Sequence, residues 1–131
     1  MAALMFHMLA GLQIPRGMVW SDEFRWSRIE KSLEYSVTGA ALIDAGVRLA
    51  GRPITLQGEV EAGWIKRGAL TALQALADSD ATGQHALVLA DGRTFTVQFA
   101  PGIAVEGGPV ARPELPVENY PYVATVRLIT V

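Results

Sequence analysis

The residues able to do acid–base chemistry are few and widely scattered. Asp22, Glu23 and Glu30 are carboxylates near one another in the chain. A carboxyl pair serves as general acid and base only when the fold fixes its separation, and neighbours on a strand or loop diverge, so solvated surface is the expectation. His7 sits in the apolar run Met5-Phe6-His7-Met8, where a structural or interface histidine is expected, and His85 precedes a strand. No Ser, Cys or Asp is tied to either histidine by a nucleophile motif. No residue is therefore assigned as catalytic, and the chain is not read as an enzyme.

Cysteine is absent, which excludes disulfides and thiolate metal sites, and the two histidines stand in no metal-ligand spacing. No metal and no cofactor are expected. Gly63 and Gly68 flank Trp64-Ile65-Lys66-Arg67 ahead of a helical pattern, but neither the Gly-Lys-Ser/Thr ending of a P-loop nor a G-x-G-x-x-G turn is present. These glycines, like Gly107-Gly108-Pro109, read as bends and turns.

Trp20, Trp26 and Trp64 are the remaining candidates for recognition. They could stack bases of a single strand, as in OB-folds, or serve as core and subunit-interface aromatics. Charge favours the second reading. The 131 residues carry 11 Lys and Arg against 13 Asp and Glu, a net charge of −2, with no basic block. No specific nucleic acid is expected, because phosphate binding calls for a positive excess.

Hydrophobic residues make up 50% of the chain and charged ones 18%, which supplies a core and rules out disorder over its whole length. The apolar N-terminal run lacks the basic start of a signal peptide and falls short of the about 20 residues that span a bilayer, so no membrane insertion is expected. A mean hydropathy of +0.26 also fits a surface built to meet a partner. Residues 1–17 then suggest an extended N-terminal arm lying on a neighbouring subunit. Met5, Phe6, Met8, Leu9, Trp20, Trp26 and Trp64 are the interface candidates.

The elements that must position these residues follow a period of two. Residues 32–38, 54–61 and 94–99 each alternate apolar and polar side chains, which predicts strands with one buried and one polar face. Asp91-Gly92 predicts a two-residue type I′ hairpin turn. Residues 122–131 predict a final strand after a proline-rich stretch, 109–121, read as an extended connection along an edge. Leu70, Leu73, Leu76 and Ala77 predict one helix over residues 67–79, with terminal charges opposed to its dipole, so packing on a sheet must hold it. The expected fold is a single mainly β domain over residues 1–131, an antiparallel β-barrel or sandwich (split-barrel-like) with one α-helix.

The order of segments adds a resemblance. Trp20-Ser21-Asp22-Glu23-Phe24-Arg25-Trp26, Thr38-Gly39-Ala40, Gly51-Arg52-Pro53-Ile54-Thr55-Leu56-Gln57-Gly58, Gly63-Trp64-Ile65, Asp91-Gly92-Arg93-Thr94-Phe95-Thr96-Val97 and Val126-Arg127-Leu128-Ile129 together resemble small tail proteins of long-tailed, siphovirus-type bacteriophages. The distal tail proteins are the nearest type. The likeness covers residues 18–131. It implies a virion structural protein of the tail tip or baseplate, assembled in the host cytoplasm. Such a protein forms a trimeric or hexameric ring and contacts other tail proteins. The long carbohydrate-binding extension of some distal tail proteins is absent, so receptor binding is not implied. The competing reading from the residues is a small OB- or SH3-like module that binds single-stranded nucleic acid or peptide.

Overall fold

Each segment of alternation contains a strand, although those expected over 32–38 and 54–61 end at Tyr35 and Gln57, and pairing alone does not bury a strand. The computed structural model describes residues 5–79, 83–111, 115 and 117–131. In chain order the elements are β1 (Phe6–Leu9), β2 (Leu12–Pro15), β3 (Val19–Trp20), β4 (Ile29–Tyr35), β5 (Ala41–Val47), β6 (Pro53–Gln57), β7 (Ile65–Lys66), α1 (Arg67–Ser79), β8 (His85–Val88), β9 (Thr94–Phe99), β10 (Val105–Pro109) and β11 (Pro121–Thr130). Among the described residues, nine strands form one antiparallel sheet in the order β2-β1-β8-β9-β11-β6-β3, with β10 and β7 also on β11. β4 and β5 pair only with each other.

The long strand β11 organises the sheet. One of its edges takes β7 at Pro121 and Tyr122 and then β6 from Thr125 to Ile129. The opposite edge takes β10 from Tyr122 to Val126 and then β9 from Leu128 to Thr130. Every second residue of its central part, Ala124, Val126 and Leu128, is buried, as a strand with one covered face requires. They join Ile54 and Leu56 of β6, Leu87 of β8, Val97 of β9, and Leu9 and Ile14 of the first hairpin in one core.

The helix spans the residues its leucine spacing predicts. It has no acidic residue in its first turn and no basic one in its last, so capping charges do not stabilise it. Leu73 is fully buried, and Ala69, Leu70, Leu76 and Ala77 pack on the core. Removing the Leu73 side chain beyond Cβ would cost about 2–5 kcal/mol. At Gly107 of β10 an added Cβ would lie 2.8 Å from the Val123 carbonyl oxygen and 3.0 Å from a Leu70 methyl. Gly107-Gly108-Pro109 is thus a paired strand and not the turn expected from its composition. Glycine is used there because the Val123 backbone of β11 and the Leu70 side chain of α1 leave no room for a Cβ.

The sheet rolls but does not close into a barrel. Its two edge strands, β2 and β3, are separated by three residues and do not pair, and the sandwich-like form of the expectation is the one that fits. The rolled edges approach the 58–63 turn through glycine. A Cβ on Gly63 would meet the Gly17 carbonyl oxygen at 2.5 Å, and one on Gly58 would meet the Gly63 oxygen at 2.6 Å.

Three further expectations change. Residues 6–15 form a hairpin within the main sheet, paired to β8 and burying Leu9 and Ile14, so they are part of the core and not an arm; residues 1–4 lie outside the described residues, as do 112–114 and 116 of the proline-rich stretch. The Asp91-Gly92 hairpin has a three-residue loop. Gly92 N–H donates to Leu89 O (2.9 Å), Leu89 N–H donates to Arg93 O (2.8 Å), and only Gly92 has positive φ, +98°. That is a type I turn followed by a left-handed glycine, not type I′. Finally, the face expected to be buried in residues 32–38 is exposed, with Leu33 at 55% and Tyr35 at 70%, because no element packs over that strand.

Candidate functional site

Three regions collect the side chains singled out by sequence. The first surrounds His7. This residue is buried on β1 between the β2–β3 link and the β8–β9 loop. Its Nδ1 accepts from Ala90 N–H (2.8 Å), so Nε2 carries the proton and donates to Met18 O (3.0 Å). Burial holds its pKa below the ordinary histidine value, against the opposing pull of the Met18 hydrogen bond and the nearby Asp91 carboxylate. Both ring nitrogens are committed to backbone. The residue staples the two ends of the rolled sheet and has no free nitrogen for proton transfer.

The second region places the expected carboxylates in structural roles. Asp22 Oδ1 and Oδ2 accept from Thr55 N–H and Oγ1, each at 2.9 Å, fixing the chain after β3 to β6. Glu23 pairs with Arg93 at 2.6 Å, and Glu30 pairs with Arg48 at 3.4 Å. Arg93 also holds Asp91 at 2.6 Å. Hydrogen bonds from the Arg93 side chain, and then from its backbone, set the Asp91 carboxyl below the usual carboxylate range.

Trp20 and Trp26 gather around arginines. The Arg52 guanidinium lies 4.5 Å from the Trp20 ring centroid and 5.9 Å from that of Trp26; Arg93 lies 5.3 Å from Trp20, and Arg48 6.0 Å from Trp26. Arg52 also donates to Glu23 O at 2.8 Å, while Trp20 meets Phe95 edge-on at 5.7 Å. Guanidinium groups cover these indoles, so the rings do not present the bare faces on which bases stack. Phe24, between them in sequence, is 91% exposed.

The third region brings Phe6 and Trp64 together, 58 positions apart in sequence, on one cleft of about 290 Å³ that also includes Pro15, Ile65, Lys66 and Ala69. Met5 precedes it and is exposed. The Trp64 indole is half in solvent, and its Nε1 donates to Val60 O at 2.7 Å, which fixes the ring. Of the other interface candidates, Leu9 is fully buried in the core and unavailable to a partner. Met8 is half-buried against Val88.

The feature that candidate selection missed is the β4–β5 hairpin itself. Its register places Ile29 opposite Val47, Lys31 opposite Ala45, Leu33 opposite Ile43 and Tyr35 opposite Ala41 on one face, which is apolar apart from Lys31. Glu30, Ser32, Glu34 and Asp44 lie on the other with Leu42. Every residue of both strands is exposed. The signal was present in the alternation of residues 41–47, but Ala41 and Ala45 weaken it.

Among the described residues no group of three or more His, Asp or Glu is placed to hold a metal ion, and no helix is long and apolar enough to cross a membrane. No protein-family model, curated protein or solved structure matches the chain.

Proposed function

We propose that this protein is a structural subunit that works as a homo-oligomer, in a ring of three or six copies. The observation that carries the reading is the β4–β5 hairpin. A lone two-stranded hairpin is at best marginally stable in water, and a contiguous exposed apolar face marks an interaction surface. Here that face, apolar on both sides of Lys31, stretches over two seven-residue strands, each about 24 Å long at ~3.4 Å per residue. Burial against another chain supplies the packing that its own body does not.

The segment resemblance extends this reading to a tail-tip or baseplate protein of a long-tailed phage. In that reading it is assembled in the host cytoplasm, resides in the virion, contacts other tail proteins and has no catalytic role. Native mass spectrometry across micromolar concentrations, with negative-stain imaging, tests the assembly. Discrete trimers or hexamers are the expected result. A chain that stays monomeric both alone and with purified tail components overturns it.

A further inference from the structure

The β4–β5 hairpin has edges as well as faces, and its two edges differ. Arg48 N–H donates to Arg28 O (2.7 Å) and Ser36 N–H to Ala40 O (2.8 Å), so the even-numbered residues of the two strands exchange the ladder bonds within the hairpin. The odd-numbered residues turn their backbone N–H and C=O outward. On β4 this edge is closed at one end, because the Ser27 hydroxyl accepts from Ile29 N–H (3.2 Å) and donates to Ile29 O (2.8 Å). On β5 the outward groups of Ala41, Ile43, Ala45 and Val47 have no partner among the described residues. β5 runs for seven residues without proline or positive φ. The edge strands of the main sheet, β2 and β3, have four and two residues, and β2 ends in Pro15. Among the described residues β5 is therefore the longest unblocked edge, the kind that accepts a further strand.

We infer that β5 pairs antiparallel with β5 of a second copy about a two-fold axis at Gly46, joining two hairpins into a four-stranded sheet. This rests on the homo-oligomer reading and deepens it by naming the strand, its partner and the register. Charge selects the register. Centred on Gly46, the pair places Asp44 of each copy directly opposite Arg48 of the other, at closely spaced ladder positions with Cα atoms about 4.5 Å apart. Ala45 and Val47 then exchange both backbone bonds across the axis. Centred on Asp44, the two carboxylates would repel each other; centred on Ala45, each would face Gly46 and gain nothing. Both charges are available: among the described residues Asp44 forms no ion pair, and Arg48 meets Glu30 through Nε alone, at 3.4 Å. Asp44 and Arg48 share the polar face with Glu30, whereas Lys31 lies on the opposite face, so the contact leaves Lys31 in solvent. A hairpin that is marginal alone gains stability from a third and fourth strand. The same patch is used by both copies, so the contact joins them in pairs, and of the two ring sizes it selects six copies.

The absence of cysteine in the native chain permits a direct test. A Cβ added at Gly46 meets nothing within 4 Å, so Gly46→Cys fits the hairpin, and at the axis it faces its own copy at a separation that suits a disulfide. Mild oxidation is expected to link Gly46→Cys chains into covalent dimers. It is expected to leave Asp44→Cys, which lies opposite Arg48 and not opposite itself, largely unlinked. In sedimentation equilibrium, Asp44→Arg is expected to weaken association about tenfold or more, while Glu34→Arg, on the same face but outside the contact, leaves it unchanged. Ala45→Pro removes only an outward N–H and is expected to abolish pairing with unchanged thermal unfolding of the body. Covalent dimers of Asp44→Cys in place of Gly46→Cys overturn the register. An Ala45→Pro chain that associates like the native one overturns the edge contact, and both results leave the oligomer reading intact. A native chain that never associates overturns contact and oligomer alike.

Discussion

Residues 36–40, between β4 and β5, and residues 89–93, between β8 and β9, make the same turn. In the first, Ser36 N–H donates to Ala40 O and Gly39 N–H to Ser36 O; in the second, Leu89 pairs with Arg93 and Gly92 in the same way. The glycines have φ of +88° and +98°. Yet β8 and β9 bury Leu87 and Val97 completely, while β4 and β5 bury no side chain. Identical local instructions thus produce one hairpin that is core and one that is surface. The difference lies in neighbours: β8 is flanked by β1, and β9 by β11, whereas the free hairpin has no strand beside it.

Leucine truncations in the two hairpins should separate them. Leu87→Ala is expected to lower stability by about 2–5 kcal/mol, seen as a large fall in unfolding midpoint. Leu33→Ala is expected to shift the unfolding of the isolated chain by no more than about 0.5 kcal/mol, while reducing association. If the two variants unfold alike, the hairpins are not energetically distinct. Next in size are the turns. Alanine at Gly92 carries a left-handed backbone cost of roughly 1–2 kcal/mol and should lower the global midpoint. Gly39→Ala should leave that midpoint in place and speed amide exchange only within residues 29–47.

The buried hairpin also carries a pH response that the free one lacks. His7 fastens Ala90 of its loop, and its folded pKa is below the unfolded value of 6.5. Its contribution is therefore full above pH 6.5. It is lost as pH falls through the folded value, because the unfolded chain then binds the extra proton first. Unfolding midpoints measured downward from neutral pH should fall in this window, and His7→Gln should flatten the fall. The smallest effect is expected at the rim: Glu23→Gln removes a partly exposed partner of Arg93 and should cost about 0.2–1 kcal/mol, less at high salt.

Much of the scaffold is legible in the sequence because it depends on periodicity. The alternation of residues 94–99 matches β9 residue for residue, and the leucine spacing matches α1 end to end. Facts that depend on distant partners are not legible. Nothing local distinguishes the alternation of Leu33 and Tyr35 from that of Ile54 and Leu56, although only the second pair meets a core. Composition also misreads Gly107-Gly108-Pro109, since the reason for the glycine is the Val123 backbone of β11, with Leu70 of α1 beside it. The Phe6–Trp64 cleft combines two residues chosen from sequence for their type, but their adjacency arises from the roll of the sheet. Arg52 and Arg93, which occupy the tryptophan faces, carry no sequence signal beyond their charge.

The position of β11 bears on how the chain is made. Four strands that precede it, β6, β7, β9 and β10, hang their backbone hydrogen bonds on its two edges. The ribosome delivers residues 121–130 after all of them, so the main sheet cannot close until translation has passed that point. The β4–β5 hairpin needs only residues 29–47, and short-range contacts of this kind form early. The nascent chain therefore exposes residues 29–47, with both strands of the hairpin complete, before the main sheet exists.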